Sequence, residues 1–366
     1  MSRLSRTFGR RRTSLVLAAA VAGAGALAGA GSPSTHGTVP TLAQLVGQRL
    51  VIAMAGTSPD AGLLARLRAG EVGGVILSRR NIRSTAQVRA LTDLLRAAAR
   101  AGGQPPPLVA VDQEGGPVRR LVWAPPLWSA AHLGLLAPAA VRAEGLAAAR
   151  ALRAAGIGVD LAPVADVPNG ARSFIAAQGR AFSADPAQVG SLAAAFAQGL
   201  AGGGVAATAK HFPGLGRAQK TTDLTVATIP VTRAQLAADL VPFRALIRAG
   251  VPLVMLSNAS YTAFGPKPAV MSGTVQALLR GPLGFAGVTI SDALNAASAR
   301  RGRSVESTAV LSAEAGTDLL LVTSGEARTA AVYARLLERA RDGTIPRRSL
   351  ERSYARIVAL KAKAPA

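Results

Sequence analysis

The chain repeats one pattern eight times, and this repetition limits its fold more than any other feature. A short apolar run is followed by a glycine-rich or polar tip and then by a stretch rich in Ala, Leu and Arg at helical spacing. The apolar runs are residues 49–54, 72–77, 108–111, 159–164, 205–209, 253–256, 287–290 and 319–322. The stretches between them include residues 84–101, 138–155, 185–201 and 233–249, each long enough for several helical turns.

Alternating strands and helices of this length predict the fold class. They require right-handed crossovers, and therefore a parallel sheet covered by helices on both faces. Eight such units are the number that closes a (β/α)8 barrel. An open doubly wound sheet competes with it, but the glycine fingerprint of that fold should follow the first strand, where the chain reads Ala55-Gly56-Thr57. We therefore predict an α/β protein of the TIM type, with a single barrel domain over residues 42–366 whose final helix, about residues 346–363, packs on the outside or bottom of the barrel.

The residues that precede the barrel predict export from the cell. Arg3, Arg6 and residues 10–12 form a basic head, and an apolar segment over residues 15–30 ends in small residues. This pattern is typical of an export signal over residues 1–31, followed by a flexible tether over residues 32–41. The mature protein is then expected to be extracellular or associated with the cell wall. The apolar segment is short for a membrane span. The alternative to a cleaved export signal is an uncleaved one that anchors the protein, and we expect no other contact with a membrane.

Composition restricts which partners and cofactors the protein is expected to bind. The net charge of +23 predicts nonspecific contact with anionic surfaces such as cell-wall polymers. The arginines are scattered and aromatic residues make up only 4% of the chain, whereas specific nucleic-acid binding needs a concentrated basic face and stacking aromatics. The chain has no cysteine and three histidines, which excludes thiolate sites and disfavours a histidine-rich metal site. We expect no metal and no organic cofactor.

Polar residues follow the apolar runs at the positions where a barrel of this kind places its active site. Asp112 and Glu114 follow the third run, Asp166 the fourth, Lys210 and His211 the fifth, Asn258 the sixth and Asp292 the seventh, with Arg120 and Arg180 in the loops. Taken singly, Asp166 is equally well explained as a cap or turn residue. A ring made of Asp112, Arg120, Arg180, Lys210 and His211 offers one carboxylate and several donors, which suits a polyhydroxylated, acetamido-bearing or anionic ligand more than an apolar one.

Five segments in the same order carry a family resemblance. They read VAVDQEGGPVRRL, GVDLAPVADV, GRAFSADP, AATAKHFPGLG and GVTISDAL. Residues 42–340 resemble the N-terminal barrel domain of family 3 glycoside hydrolases, in particular single-domain bacterial β-N-acetylhexosaminidases that act on cell-wall sugars. The resemblance implies hydrolysis with retention through a covalent glycosyl-enzyme intermediate. By matching motifs it implies that Asp292 is the nucleophile, and that the first sugar subsite is formed by Asp112, Arg120, Arg180, Lys210 and His211.

The chain departs from this family at the second catalytic group. The hexosaminidases carry an Asp-Ser-His triplet in the loop after KHFPG, and its histidine, assisted by the aspartate, is the general acid/base. Here Asp223 matches the aspartate, but Thr225 occupies the place of the histidine. Threonine cannot protonate a leaving oxygen near neutral pH.

Three accounts of this departure remain open. Asp223 itself could be the acid if burial raises its pKa, or the substrate or a phosphate acceptor could supply the chemistry. In the third account the protein is a noncatalytic carbohydrate-binding barrel at the cell surface. We favour the first, in which Asp292 and Asp223 are the catalytic pair.

Overall fold

The computed structural model describes residues 39–170 and 172–363, and a barrel of eight parallel strands forms its centre. The strands are β1 (Leu50–Ala53), β2 (Gly74–Leu77), β3 (Leu108–Val111), β4 (Val159–Asp160), β5 (Ala206–Phe212), β6 (Leu253–Leu256), β7 (Val288–Ser291) and β8 (Leu320–Val322). They pair in chain order from β1 to β7, and β8 pairs with β1. A bridge between Ile290 and Leu319 joins β7 to β8 and closes the ring. The predicted (β/α)8 barrel is thus confirmed.

Helices connect successive strands and surround the barrel. In the described part of the chain they are α1 (Leu42–Gly47), α2 (Ala61–Ala69), α3 (Thr85–Ala101), α4 (Ala130–Leu133), α5 (Pro138–Ala154), α6 (Phe174–Ala177), α7 (Pro186–Gly202), α8 (Arg233–Asp239), α9 (Val241–Arg248), α10 (Gly273–Arg280), α11 (Ala297–Arg300), α12 (Val305–Glu314), α13 (Glu326–Arg341) and α14 (Arg347–Lys363). Within these residues, no helix combines the length and the apolar character needed to cross a membrane. The predicted export signal, and all but the end of the tether, lie outside the described residues.

Local sequence explains where the helices begin and where one of them breaks. Asp185 accepts a hydrogen bond from the Ala187 amide and caps α7, as expected for an aspartate that precedes Pro186. The helical stretch expected over residues 233–249 forms two helices, because α8 ends at Asp239 and α9 begins at Val241. Pro242 explains the break, since its ring nitrogen carries no hydrogen for the helical ladder.

Side chains on alternate strand positions fill two separate regions. Val51, Ile76 and Leu108 point into the barrel, whereas neighbours such as Leu50 pack under the surrounding helices. Ile357 of α14 belongs to the inner cluster, so the final helix closes the bottom of the barrel. This is one of the two positions predicted for it, and the upper end of the barrel stays available for a site.

Strand β4 is shorter than expected, and its neighbour β5 is longer, at the end of the barrel where the candidate site lies. Only its first two residues pair regularly, instead of the six predicted over residues 159–164. Pro163 has no amide hydrogen for the ladder, and the chain continues extended to a bridge between Val164 and Lys210. Strand β5 meanwhile runs on to Phe212, so Lys210 and His211 belong to the strand itself rather than to the loop beyond it.

Candidate active site

Lys210 lies at the centre of a buried group of charges at the upper end of the barrel. Its side chain is 2% exposed, and its Nζ atom is 2.7 Å from Asp112 Oδ1 and 2.6 Å from Glu114 Oε1. Arg180 donates from Nε and Nη2 to the two oxygens of Glu114, each at 2.7 Å. Arg120 Nη2 is 3.5 Å from Asp112 Oδ2. We call these five residues the charged clamp; four of them, all but Glu114, are predicted subsite residues, and the structure brings them together.

Opposite charges keep Glu114, Asp112 and Lys210 of the charged clamp ionised. Burial acts to raise the pKa of Glu114, but the charges of Lys210 and Arg180 outweigh it and lower that pKa from 4.5 to about 2. For Asp112 burial again opposes ionisation, and Lys210 and Arg120 again lower the pKa. Burial disfavours the charged form of Lys210 too, yet the two carboxylates raise its pKa. The clamp therefore presents fixed charges with spare donors and acceptors near neutral pH.

His211 is oriented by Asp166, which is fully buried. The His211 Nδ1 atom is 2.7 Å from Asp166 Oδ2, while the amides of His211 and Leu215 donate to Asp166 Oδ1. Because a carboxylate accepts hydrogen bonds, this contact places the proton on Nδ1 and leaves Nε2 for a ligand. The pairing of β5 with β6 shifts between Ala209 and Phe212. Such an irregularity redirects side chains, which allows two consecutive residues to serve one site.

Asp292 follows β7 and lies close to this group. Its Oδ1 atom accepts a hydrogen bond of 2.7 Å from the amide of Ala293, and Asn258 holds that residue by donating to its carbonyl oxygen at 2.9 Å. Burial raises the pKa of Asp292; the nearby charge of His211 lowers it and that of Asp223 raises it. The structure therefore brings Asp292 together with the subsite residues predicted from the sequence.

Asp223 lies on a loop that packs against the segment following Asp292. The carbonyl oxygens of Asp223 and Thr222 accept hydrogen bonds from the amides of Ala297 and Ser298, at 2.9 and 3.1 Å. The Asp223 side chain is nevertheless exposed. The account in which Asp223 is the acid requires burial to raise the pKa of its side chain. In this arrangement of the loop the side chain is not buried. Thr225 donates its hydroxyl to Thr221 O at 2.7 Å, within the same loop.

Glu114 and Asp166 follow predicted strands but are not among the predicted site residues, yet both orient residues that are. Glu114 has a local signal, because it stands two residues after Asp112 in an extended segment, and such residues share a face. Asp166 has only its position after the fourth predicted strand, and its pairing with His211, 45 residues away in the chain, has no local signal.

The loop that carries Arg120 is fixed by buried polar contacts. The Gln113 side chain accepts the amides of Arg120 and Leu121, at 3.0 and 3.1 Å. Gly115 has a φ of +101° and lies so close to the carbonyl oxygen of Trp128 that any side chain would overlap it. The loop is thereby folded back beside the clamp.

A cleft of about 780 Å³ opens next to the charged clamp. Asp112 and Arg120 line it together with the loops that follow β1, β2 and β8. In residues 39–170 and 172–363, no three histidine or carboxylate side chains are grouped so as to hold a metal ion.

Comparison with known proteins agrees with this geometry. The model of the glycosyl hydrolase family 3 N terminal domain matches residues 41–360. The chain is 38% identical over 295 residues to a beta-hexosaminidase of Stenotrophomonas maltophilia (strain K279a), covering 78% of this chain and 86% of the relative.

Two solved structures extend the comparison. The beta-N-acetylhexosaminidase from Beutenbergia cavernae DSM 12333 superimposes with a TM-score of 0.82 at 34% identity, over 88% of this chain and 99% of that one. The glycoside hydrolase family 3 beta-N-acetylglucosaminidase from Paenibacillus sp. str. FPU-7 gives 0.85 at 32% identity, over 89% of this chain and 63% of that one.

Proposed function

Because the chain belongs to glycosyl hydrolase family 3 and is a glycosidase of O-glycosyl bonds, we propose that it hydrolyses β-linked N-acetyl amino sugars with retention. The observation that carries this proposal is the position of Asp292 beside the charged clamp and His211. Relatives named for N-acetylated hexosamine substrates support the choice of sugar.

In this proposal the charged clamp and His211 bind the sugar whose bond is cleaved. Asp112 and Arg120 are partly exposed and offer acceptor and donor atoms to hydroxyl groups, as His211 does through Nε2. The buried Lys210 fixes Asp112, and Glu114 in turn fixes Lys210. Charge-assisted hydrogen bonds of this kind accelerate the reaction when they strengthen in the transition state.

Asp292 is the proposed nucleophile. One carboxylate oxygen attacks the anomeric carbon as the bond from that carbon to the leaving oxygen breaks, which forms a glycosyl ester on the enzyme. The amide of Ala293 holds the other oxygen and fixes the direction of attack. His211 and Lys210 favour the ionised form that the attack requires.

Asp223 is the proposed acid/base. It lies on the loop that packs beside Asp292, and a proton from its carboxyl group would pass to the leaving oxygen. In the second step its carboxylate would take a proton from the water that hydrolyses the ester. Because the side chain is exposed in the free protein, this role requires the loop to close over bound sugar.

The alternative function is carbohydrate binding without turnover. The observation that favours it is Thr225, whose hydroxyl is bonded within its own loop where the family places an acid/base histidine. The retained charged clamp would then bind a sugar that Asp292 cannot cleave.

We further propose that the substrate is derived from the cell wall and that the protein acts outside the cell. The basic N-terminal segment and the net charge of +23 support this proposal, since anionic cell-wall polymers attract a cationic protein.

Two substrates and three variants test the proposal. An aryl β-N-acetylglucosaminide has a leaving group that needs little protonation, whereas a natural disaccharide needs an acid. Asp292→Ala should abolish turnover of both. Asp223→Ala should lower kcat/KM for the disaccharide by about 100-fold or more and leave kcat/KM for the aryl substrate nearly unaffected, because kcat/KM reports the first step, in which only the disaccharide needs the acid.

The control is Asp93→Asn, which changes an exposed carboxylate on α3. It should leave both rates unchanged. Sugar binding with no turnover of either substrate would favour the noncatalytic alternative, and an equal loss on both substrates in Asp223→Ala would remove Asp223 from the acid role.

A further inference from the structure

The loop that follows β3 carries an exposed apolar surface. Val122, Trp123, Leu127 and Trp128 are each between 41% and 56% exposed, and Leu135, just after α4, is 82% exposed. We call these five residues the apolar rim. Both tryptophans of the chain belong to it. The proposed reaction gives none of the five a role, and apolar side chains grouped on a protein surface mark a site of interaction.

The apolar rim is held in place by polar contacts on its inner side. The buried Gln113 donates from Nε2 to three carbonyl oxygens of the loop at 3.0–3.1 Å, those of Leu121, Ala124 and Pro125. Trp123 donates from Nε1 to Thr85 Oγ1 at 3.1 Å, and the Trp128 ring stacks on His132 with centroids 4.3 Å apart. Because the rim is already ordered, docking it against a partner costs less conformational entropy.

The charges around the apolar rim are positive. Residues 115–143 contain no aspartate or glutamate but three arginines, namely Arg119, Arg120 and Arg142. Residues 79–92, which lead into the helix that Trp123 contacts, contain four arginines and again no carboxylate. One of them, Arg83, is exposed and stands two residues before Thr85. Apolar side chains among cations complement an anionic lipid surface, where the former enter the headgroup region and the latter face the phosphates.

The composition of the loop favours lipid over a polysaccharide. Residues 115–143 also lack asparagine and glutamine, so that few side-chain acceptors are available to sugar hydroxyl groups. Val122, Leu127 and Leu135 are aliphatic and offer no flat ring for a sugar to pack on. Tryptophan and leucine together are typical of segments that lie in the interface of a membrane.

We propose that the apolar rim docks on the surface of an anionic membrane. This inference does not depend on the proposed function. From the sequence we expected membrane contact only through an uncleaved N-terminal signal; the rim adds a second contact, which depends on side-chain exposure that the sequence does not reveal. The loop that carries the rim also carries Arg120 of the charged clamp, so docking holds the upper end of the barrel near the membrane.

Tryptophan fluorescence of the full chain tests the proposal, because both tryptophans lie in the apolar rim and none in the N-terminal segment. Vesicles of phosphatidylglycerol and phosphatidylcholine should shift the emission to shorter wavelength, and lipids brominated on their acyl chains should quench it. The apparent affinity read from the shift should be about tenfold or more lower for phosphatidylcholine alone and in about 0.5 M salt. An N-terminal segment that binds by itself would carry the protein to the vesicles without this shift.

Two matched variants separate the apolar rim from other exposed apolar residues. Leu127→Asp places a carboxylate in the rim and keeps both tryptophans as reporters, so the apparent affinity should fall by about tenfold or more. Leu94→Asp is the control, because Leu94 is 47% exposed against 54% for Leu127 but lies nine residues, or about 14 Å of helix, beyond Thr85 on α3. It should leave the affinity unchanged. Both positions are exposed, so urea unfolding should match that of the wild-type protein.

Every outcome decides the proposal. An emission that anionic vesicles do not shift, or equal losses of affinity in Leu127→Asp and Leu94→Asp, would overturn it. A shift with soluble chitooligosaccharides but not with vesicles would assign the apolar rim to carbohydrate instead. A shift that follows protein concentration alone, with dimers in sedimentation velocity, would assign it to a second copy of the chain. The quenching experiment uses the wild-type protein and therefore stands even if Leu127→Asp fails to fold.

Discussion

Replacing Glu114 by glutamine tests whether the charged clamp is held together by buried charge. Glu114 is 4% exposed and pairs with both Lys210 and Arg180 at 2.6–2.7 Å. Glutamine keeps the shape but removes the negative charge, so that two buried cations lose a partner. Breaking a buried pair in this way typically costs about 3–5 kcal/mol.

The pKa of Glu114 gives an independent magnitude. Its value falls from 4.5 to about 2 in the folded protein. At 1.36 kcal/mol for each pH unit this corresponds to about 3 kcal/mol of unfolding free energy at pH 7. Because the folded pKa is the lower one, this contribution is complete above pH 4.5 and is lost as the pH falls toward 2. It should have dropped to roughly half or less at pH 3.

Urea unfolding followed by circular dichroism measures the effect. Glu114→Gln should lower the free energy of unfolding by about 3 kcal/mol at pH 7, and its difference from the wild-type protein should shrink at pH 3. Glu338→Gln is the matched control, because Glu338 also forms an arginine pair, at 2.6 Å, but on the exposed surface of α13. Exposed pairs contribute about 0–1 kcal/mol. A loss no larger than that of the control, or a difference independent of pH, would refute the reasoning.

Three further predictions concern other parts of the molecule. Asp166→Asn should lower kcat/KM by about 10- to 100-fold on both the aryl and the natural substrate, because His211 loses the acceptor that fixes its ring; an unchanged value would mean that this ring does not touch the sugar. Thr225→His should raise turnover of the natural disaccharide by about tenfold or more without affecting the aryl substrate, since it adds an acid/base next to Asp223; equal rates for variant and wild type would mean that the loop does not reach the leaving oxygen. Burial lowers the pKa of Lys361 from 10.5 to about 7, so the wild-type protein should gain about 4 kcal/mol of unfolding free energy between pH 7 and 10.5 relative to Lys361→Met; parallel pH profiles of the two proteins would contradict this.

Much of the barrel could be predicted from sequence because its signals are local. The runs at residues 108–111 and 253–256 coincide with β3 and β6, and Asp185 caps α7 as its position before Pro186 indicates. Where the prediction was wrong, a proline interrupts the helix or strand that contains it. Pro163 ends the regular pairing of β4 early, and the partner strand β5 extends through His211.

The site was predictable as a set of residues but not as a set of contacts. Asp112, Lys210 and Asp292 each stand at the end of a predicted strand, and a closed barrel brings such positions into one region, where the structure places them. The pairing of Asp166 with His211 depends on strand register, which no residue reveals alone. The exposure of Asp223 depends on how its loop packs, which its sequence does not determine.

Trapping the glycosyl ester is the most direct test of the central claim that Asp292 is the nucleophile. The protein is incubated with a fluorinated aryl glycoside that forms the ester quickly and loses it slowly, and tryptic peptides are then weighed. Residues 281–300 form one such peptide, in which Asp292 is the only carboxylate side chain, and Asp223 is likewise alone in residues 221–233. We predict that the sugar mass appears on the first peptide and is absent in Asp292→Ala. Its appearance on the second peptide, or on neither while the aryl group is released, would contradict the account.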